Sequence, residues 1–195
     1  RDHNRPLSAF CACELRSPAP FTEDGFLRFN QAYAAVLAEW GIVRDGVNPV
    51  ARSNVCPEID KPPEPGFQAF CFTTPGEDGA PSFMIAGSGE AREGQGNYRD
   101  HTVRYGDTSP DALREKADYV VGEMTRRMAA LRTGWDAVTG TQAYTVHEMR
   151  GFVPDLLVGR GAMPHGLTWH FARPPVVGLE YEMDCRGVAV ERVIG

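Results

Sequence analysis

A regular alternation of apolar and charged residues near the carboxyl end constrains the fold of this chain more than any other feature. From Leu179 onwards every second residue is apolar, and the residues between them are charged. The charged positions are Glu180, Glu182, Asp184 and Arg186. A period of two predicts a β-strand with one face in a core and one charged face. We expect Glu182 and Asp184 to be solvated, because surface carboxylates are the norm.

Two amphipathic helices are also predicted. The first follows Thr22, a residue type that caps helix N-termini, and ends at Gly41. The second begins at Ser109, with Pro110 in its first turn. Each carries an apolar stripe at helical spacing, aromatic in the first helix and aliphatic in the second, so we expect both stripes to pack in a core.

A proline-rich segment predicts a boundary near residue 65. Five prolines lie between Pro49 and Pro65, and the segment "PEIDKPPEPG" among them cannot form a regular element. We expect residues 1–65 to form a βα extension that packs on a main domain of residues 66–195. Strands are predicted at 66–74 and 81–87, joined as a hairpin through "PGEDGA". The order of elements from residue 66 indicates an α+β fold with helices on one face of a sheet.

Composition excludes several classes of partner. The 195 residues include 20 Lys and Arg against 26 Asp and Glu, a net charge of −6, so a nucleic acid is not an expected partner. No apolar run approaches the roughly 20 residues that span a bilayer, and the first residues lack a signal peptide's apolar stretch. The cysteine count of five is odd, and the spacing matches neither a disulfide framework nor a metal knuckle. We therefore expect a cytoplasmic protein with reduced thiols and no membrane partner.

Three segments, taken in order, resemble the RidA family of imine and enamine deaminases. They are "FMIAGSGEA", the long stretch from "DALREKADYVV" to "TQAYTVHEMRGF", and "LEYEMDC". The resemblance covers roughly residues 66–192, and the branch that acts on 2-aminomuconate is a reasonable comparison for a longer, divergent member. It implies a chorismate-mutase-like fold, a homotrimer with clefts between subunits, a small anionic substrate, and no metal or organic cofactor.

The resemblance also implies roles for particular residues. Glu180 matches the glutamate with which the family orients water at the C=N carbon. The family's carboxylate-binding arginine corresponds here to Gly166, or to His165 with a slip of one residue, and neither is arginine. We expect Arg160, His165 or Arg173 to bind the substrate carboxylate instead. His165 could also shuttle a proton near neutral pH.

Ser88 and the pair of His165 and His170 are two further candidate sites. Ser88 in "GSGE" could supply a hydroxyl to a ligand, and its flanking glycines allow close approach to the backbone. The same glycines are also what any tight turn requires. A metal site built from His165 and His170 would need a third ligand that the sequence does not indicate, so no metal is expected.

Three functions remain open from the sequence. The first is a deaminase that hydrolyses an enamine or imine of a small carboxylic acid and releases ammonia. The second is a chorismatase-like enzyme that acts on an enolpyruvyl substrate, although chorismatases are considerably longer. The third is a non-enzymatic trimer that binds a metabolite. Glu180 favours the first two, and the missing arginine favours the last two.

Overall fold

The computed structural model describes residues 4–76, 82–92 and 97–193. Within these ranges the strands are β1 (Phe10–Arg16), β2 (Ala51–Pro57), β3 (Gly66–Phe72), β4 (Phe83–Gly89), β5 (Gly140–Tyr144), β6 (Thr168–His170), β7 (Ala172–Arg173) and β8 (Glu182–Gly187). The α-helices are α1 (Glu23–Glu39), α2 (Tyr98–His101) and α3 (Pro110–Ala130), and a π-helical turn spans Val153–Val158. The α+β class predicted from the sequence is confirmed.

The first sheet is built mainly from the amino-terminal third of the chain. Its strand order is β3-β1-β2-β7, with β1 and β2 parallel and connected through α1. The outer strands β3 and β7 run antiparallel to their neighbours. Both outer strands lie beyond residue 65, so the hydrogen bonds of this sheet cross the position where the sequence predicts a boundary.

The second sheet has the order β4-β8-β5-β6. β8 lies antiparallel to both β4 and β5, and β5 is parallel to β6. The predicted hairpin of β3 and β4 is therefore wrong, because each pairs with a different strand in a different sheet. Turn residues such as "PGEDGA" favour a reversal but do not select a strand's partner. Residues 77–81 of that turn lie outside the described ranges.

The two long helices begin where the sequence predicts. The Thr22 hydroxyl accepts a hydrogen bond from the backbone N–H of Gly25 at 3.1 Å, and Ser109 caps α3 in the same way. Gly41, just beyond α1, has a φ of +72°, the left-handed conformation in which glycine commonly ends helices. No described helix is long and apolar enough to cross a membrane.

The main core lies between α3 and one face of the second sheet. The helix contributes a fully buried stripe, which includes Ala117, Val120, Val121, Met124 and Met128. From the sheet, Tyr181, Met183 and Cys185 of the alternating segment face this core. The stripe of α1 differs, because only Leu37 is buried among its large apolar residues. Two aromatic side chains of α1, Phe26 and Tyr33, instead line a cavity.

The opposite face of the second sheet is polar and contacts the first sheet. Gln142 Nε2 donates to Glu14 Oε1 at 2.7 Å, and the Tyr144 hydroxyl donates to Asp184 Oδ2 at 2.8 Å. Glu182 is 4% exposed and Asp184 6% exposed. The expectation that these two carboxylates are solvated is wrong. The alternation identified the charged face correctly, but a period of two does not reveal that the first sheet covers it.

Candidate active site

A cavity of about 480 Å³ lies between α1, β2, β4 and the segment leading into β8, and we call it the inter-sheet cavity. Its polar lining includes Arg52, Asn54, Ser88, Tyr98 and Glu182. Its apolar lining includes Phe26, Tyr33, Val176 and Leu179. Polar and apolar residues share the lining about equally, and the volume falls in the range of small-molecule sites.

Arg52 presents a cation to this cavity. Its guanidinium lies over the ring of Tyr33, 4.7 Å from the centroid, and near the rings of Phe26 and Phe29 at 5.7 and 5.6 Å. Nη2 donates to Asn30 Oδ1 at 2.6 Å, and no described carboxylate forms an ion pair with it. Burial lowers its pKa, yet a guanidinium stays charged in proteins. A cation held by aromatic rings and an amide can bind an anion.

Glu182 presents a carboxyl group to the same cavity. Burial, together with the neighbouring charge of Asp184, raises its pKa to about 8, and Arg52 opposes the shift. The carboxyl group is therefore protonated at neutral pH and can donate a proton. A carboxyl group whose pKa lies near the working pH is suited to general acid–base catalysis.

A bulge in β4 shapes the backbone next to this carboxyl group. Between Ile85 and Ser88, β4 contains one residue more than the paired stretch of β8. At the bulge Arg127 Nη1, from α3, donates to the carbonyls of Ala86 at 2.7 Å and Gly87 at 3.3 Å. Bulges next to active sites commonly re-aim local structure, and this one is held by a charged donor.

Gly87 gives the carboxyl group of Glu182 its space. A Cβ atom added at Gly87 would overlap Glu182 Oε1 and would lie 3.0 Å from the Cβ of Ser53. The overlap shows that the carboxyl group lies directly against the backbone of β4. Any larger residue would displace the side chain or separate the two sheets, so the geometry requires glycine here.

Asn54 carries a hydrogen-bond donor that fits a polar ligand. It is buried, and its Oδ1 accepts from Ser17 Oγ at 2.9 Å. None of the described residues accepts a hydrogen bond from its Nδ2. A buried donor without an acceptor is unfavourable unless a bound group supplies one. Ser88 is buried beside the cavity, where its hydroxyl donates to the Gly89 carbonyl at 3.2 Å.

A second polar group, the Glu180 cluster, consists of Glu58, His147, Arg173 and Glu180. Glu180 Oε2 lies 2.7 Å from His147 Nε2 and 3.9 Å from Arg173 Nη1. Arg173 Nε also donates to Glu58 Oε1 at 2.6 Å. The structure thus brings together Glu180, which the family resemblance implies, and Arg173, one of the expected replacements for the family's arginine. Their charged groups are bonded to protein partners.

Three other predicted site residues lie apart from both groups. Arg160 is exposed and forms an ion pair with Asp118 of α3. His165 and Gly166 are exposed in the connector before β6. Their positions leave the substrate-binding role of these residues a prediction, since neither the inter-sheet cavity nor the Glu180 cluster includes them.

Sequence reasoning missed Arg52, Glu182 as a cavity residue, and His147. Arg52 stands in the stretch "VARSNV", which is half polar, so its sequence gives no clear signal of a site. His147 has no clear signal either, because its partner lies 33 residues away. Across the described ranges, no group of three His, Cys, Asp or Glu side chains is placed to hold a metal ion.

Comparisons with known proteins agree in pointing to one family. A model of the family described as 2-aminomuconate deaminase CnbZ matches residues 1–192. The chain is also 50% identical over 192 residues to 2-amino-5-chloromuconate deaminase from Comamonas testosteroni, a match that covers 97% of this chain and 76% of that protein. The match to the family model begins at residue 1 and so includes the segment that the sequence predicts to be an extension. The chain belongs to the 2-aminomuconate deaminase family.

Proposed function

We propose that this chain is a hydrolytic deaminase that acts on 2-aminomuconate or a closely similar enamine dicarboxylate and releases ammonia in the inter-sheet cavity. The family and the named substrate of its relative support this substrate class. One observation carries the choice of site. Arg52, a cation without a described counterion, and Glu182, a carboxyl group protonated at neutral pH, face the same cavity.

Arg52 binds a substrate carboxylate in this proposal. An anionic substrate that approaches a chain of charge −6 needs a local cation, because an unpaired carboxylate is costly to desolvate. The fork of a guanidinium matches the two oxygens of a carboxylate. Asn54 Nδ2 adds a neutral donor on the same strand, two residues further along β2.

Glu182 handles the protons in this proposal. Its carboxylic acid first protonates a carbon of the enamine, which converts the C–NH₂ group into an iminium. The resulting carboxylate then takes a proton from water as the oxygen bonds to the iminium carbon. The acid next protonates the amino group, and ammonia leaves as the C=O bond forms and the hydroxyl proton returns to Glu182. Water is consumed, and the sequence requires no redox step.

Glu180 has a different place in this account from the one implied by the family resemblance. Its carboxylate is held by His147 at 2.7 Å, which restrains the side chain outside the residues that line the cavity. We therefore assign proton transfer to Glu182 rather than to Glu180. Glu182 is the first residue of β8 and Glu180 lies two positions before it, so matched variants can separate the assignments.

The assembly and the finer fold remain part of the proposal. The family resemblance favours a relation to the RidA family, a chorismate-mutase-like arrangement and a homotrimer. Exposed aromatic residues on the edge strand β3 support self-association, since Phe67 is 59% exposed and Phe70 is 52% exposed. Light scattering at micromolar concentration tests the assembly, and a monomer would remove the homotrimer from the account.

A substrate panel tests the proposed reaction. Ammonia release would be measured with 2-aminomuconate, 2-iminopropionate and 2-iminobutyrate, and pyruvate release with chorismate. We expect ammonia from 2-aminomuconate at a kcat/KM well above that for the two imino acids. Pyruvate from chorismate would select the chorismatase-like alternative, and no product from any substrate would select the non-enzymatic one.

A further inference from the structure

A buried ion pair joins α3 to the residue that follows β4. Lys116 Nζ lies 3.1 Å from Glu90 Oε1, and both side chains are 0% exposed. Lys116 also donates to the carbonyl of Val103 at 2.8 Å. A fully buried pair is rarely the most stable choice for a core, because apolar residues of the same volume often stabilise as well or better. Its presence therefore calls for a role other than stability.

The carboxylate of Glu90 takes the place of a strand partner. Its Oε1 accepts from the backbone N–H of Glu180 at 2.7 Å, and its Oε2 accepts from that of Tyr181 at 3.2 Å. The ladder between β4 and β8 pairs Gly89 with Glu182, so Glu90 continues the pairing beyond the end of the ladder. Two amides and one ammonium donate to the carboxylate, an arrangement that its ionised form accepts best.

We propose that Glu90 is a positioning residue that fixes the start of β8 and thereby holds the carboxyl group of Glu182 against Gly87 and beside Arg52. The inference rests on the proposed role of Glu182. Burial raises the pKa of Glu90, and Lys116 opposes that shift together with the backbone N–H groups of Glu180 and Tyr181, which favours the charged form. The pair acts through the backbone and contacts neither substrate nor reacting atoms.

The charges that face Glu182 define how the pair affects its titration. They are Asp184 on its own strand, Arg52 from β2, Glu90 from the end of β4, and Arg127 from α3. Asp184 and Glu90 raise the pKa of Glu182, and Arg52 and Arg127 lower it. Removal of the Glu90 charge therefore lowers the pKa of Glu182, and entry of water through a loosened strand shifts it in the same direction.

The test compares Glu90→Gln with the double variant Glu90→Gln/Lys116→Met. The double variant removes both charges together, so it keeps the proposal testable if the single variant leaves a buried lysine unpaired and fails to fold. We expect kcat to fall about 100-fold, the size typical of a misplacement near 1 Å, and the alkaline limb of kcat/KM to move to lower pH. Glu115→Gln serves as the matched control. Glu115 lies next to Lys116 on α3, and its exposed carboxylate pairs with Arg104.

A direct titration separates failure of this inference from failure of the proposed function. The carboxyl carbon of Glu182 would be followed by ¹³C NMR against pH, with Glu182→Gln used to assign the signal. We expect a lower pKa in the double variant than in the wild type. A folded double variant with wild-type kcat, pH profile and Glu182 titration would overturn the positioning role. Absence of ammonia release by the wild type would instead overturn the proposed function.

Discussion

Arg52 and Glu182 lie far apart in the sequence and face one cavity. Arg52 lies in β2 of the first sheet, and Glu182 begins β8 of the second. Their charges act on each other, since Arg52 opposes the raised pKa of Glu182. The union of the two sheets therefore creates the pairing of a cation with a neutral carboxylic acid, and neither sheet contains both groups.

The activity should depend on pH through Glu182. The proposal requires the protonated acid in the free enzyme, and the pKa of Glu182 is raised to about 8. We expect kcat/KM to be constant below that value and to fall about tenfold per pH unit above it. Initial rates of ammonia release between about pH 6 and 10 measure this. A limb that began near the ordinary pKa of a glutamate would argue against a buried acid.

Loss of Arg52 should weaken substrate binding. Arg52→Met preserves much of the side chain's apolar contact with the aromatic rings of α1 but removes the charged donors. Hydrogen bonds to charged groups contribute about 1.5–3 kcal/mol, so KM should rise roughly 10- to 100-fold. Arg160→Met is the matched variant, because the sequence predicts Arg160 as a replacement for the family's carboxylate-binding arginine. If Arg160→Met raised KM and Arg52→Met did not, the carboxylate would bind outside the cavity.

Gly87→Ala should abolish most activity. The added methyl group overlaps Glu182 Oε1 and comes within 3.0 Å of the Cβ of Ser53, so the carboxyl group must move. A displacement near 1 Å typically costs about 100-fold in rate. Gly122→Ala is the control, since a Cβ there meets no atom within 4 Å. Equal kcat for the two alanine variants would show that the space at Gly87 is not needed.

The unfolding free energy should reveal the buried carboxyl group independently of catalysis. Its pKa is higher in the folded chain, about 8, than in the unfolded chain, so the folded state binds more protons between the two values. Stability attributable to Glu182 therefore decreases as pH rises through this interval and is constant above it. Glu182→Gln should be more stable relative to the wild type near about pH 9 than near about pH 5. Urea unfolding at both pH values measures the difference, and an equal difference at both would contradict the burial.

The sequence predicted the local structure better than the site. The caps at Thr22 and Ser109 act between neighbouring residues, so both helices begin where expected. The alternation at β8 predicted the strand's two faces correctly. Burial of Glu182 depends on the first sheet, whose strands are distant from Glu182 in sequence, and no local pattern predicts that contact. The pairing of His147 with Glu180 is likewise set by the fold.

The aromatic stripe of α1 shows how a correct pattern can receive an incomplete interpretation. Its spacing predicted a helix with an apolar face, and the helix is present. The expectation of simple core packing does not hold for Tyr33 and Phe26, whose rings lie against the guanidinium of Arg52 and line the cavity. Helical spacing identifies a shared face, but a cation beneath that face changes its role from core to binding wall.

Comparison of Glu182→Gln with Glu180→Gln tests the central claim most directly. Each change removes one carboxyl group and keeps its shape, in Glu182 at the first residue of β8 and in Glu180 two residues before it. Loss of a general acid–base typically costs roughly 10²- to 10⁴-fold in rate. We predict that kcat for ammonia release from 2-aminomuconate falls by that factor in Glu182→Gln and less than tenfold in Glu180→Gln. A collapse of kcat in Glu180→Gln with near-full activity in Glu182→Gln would contradict the account and assign the chemistry to Glu180.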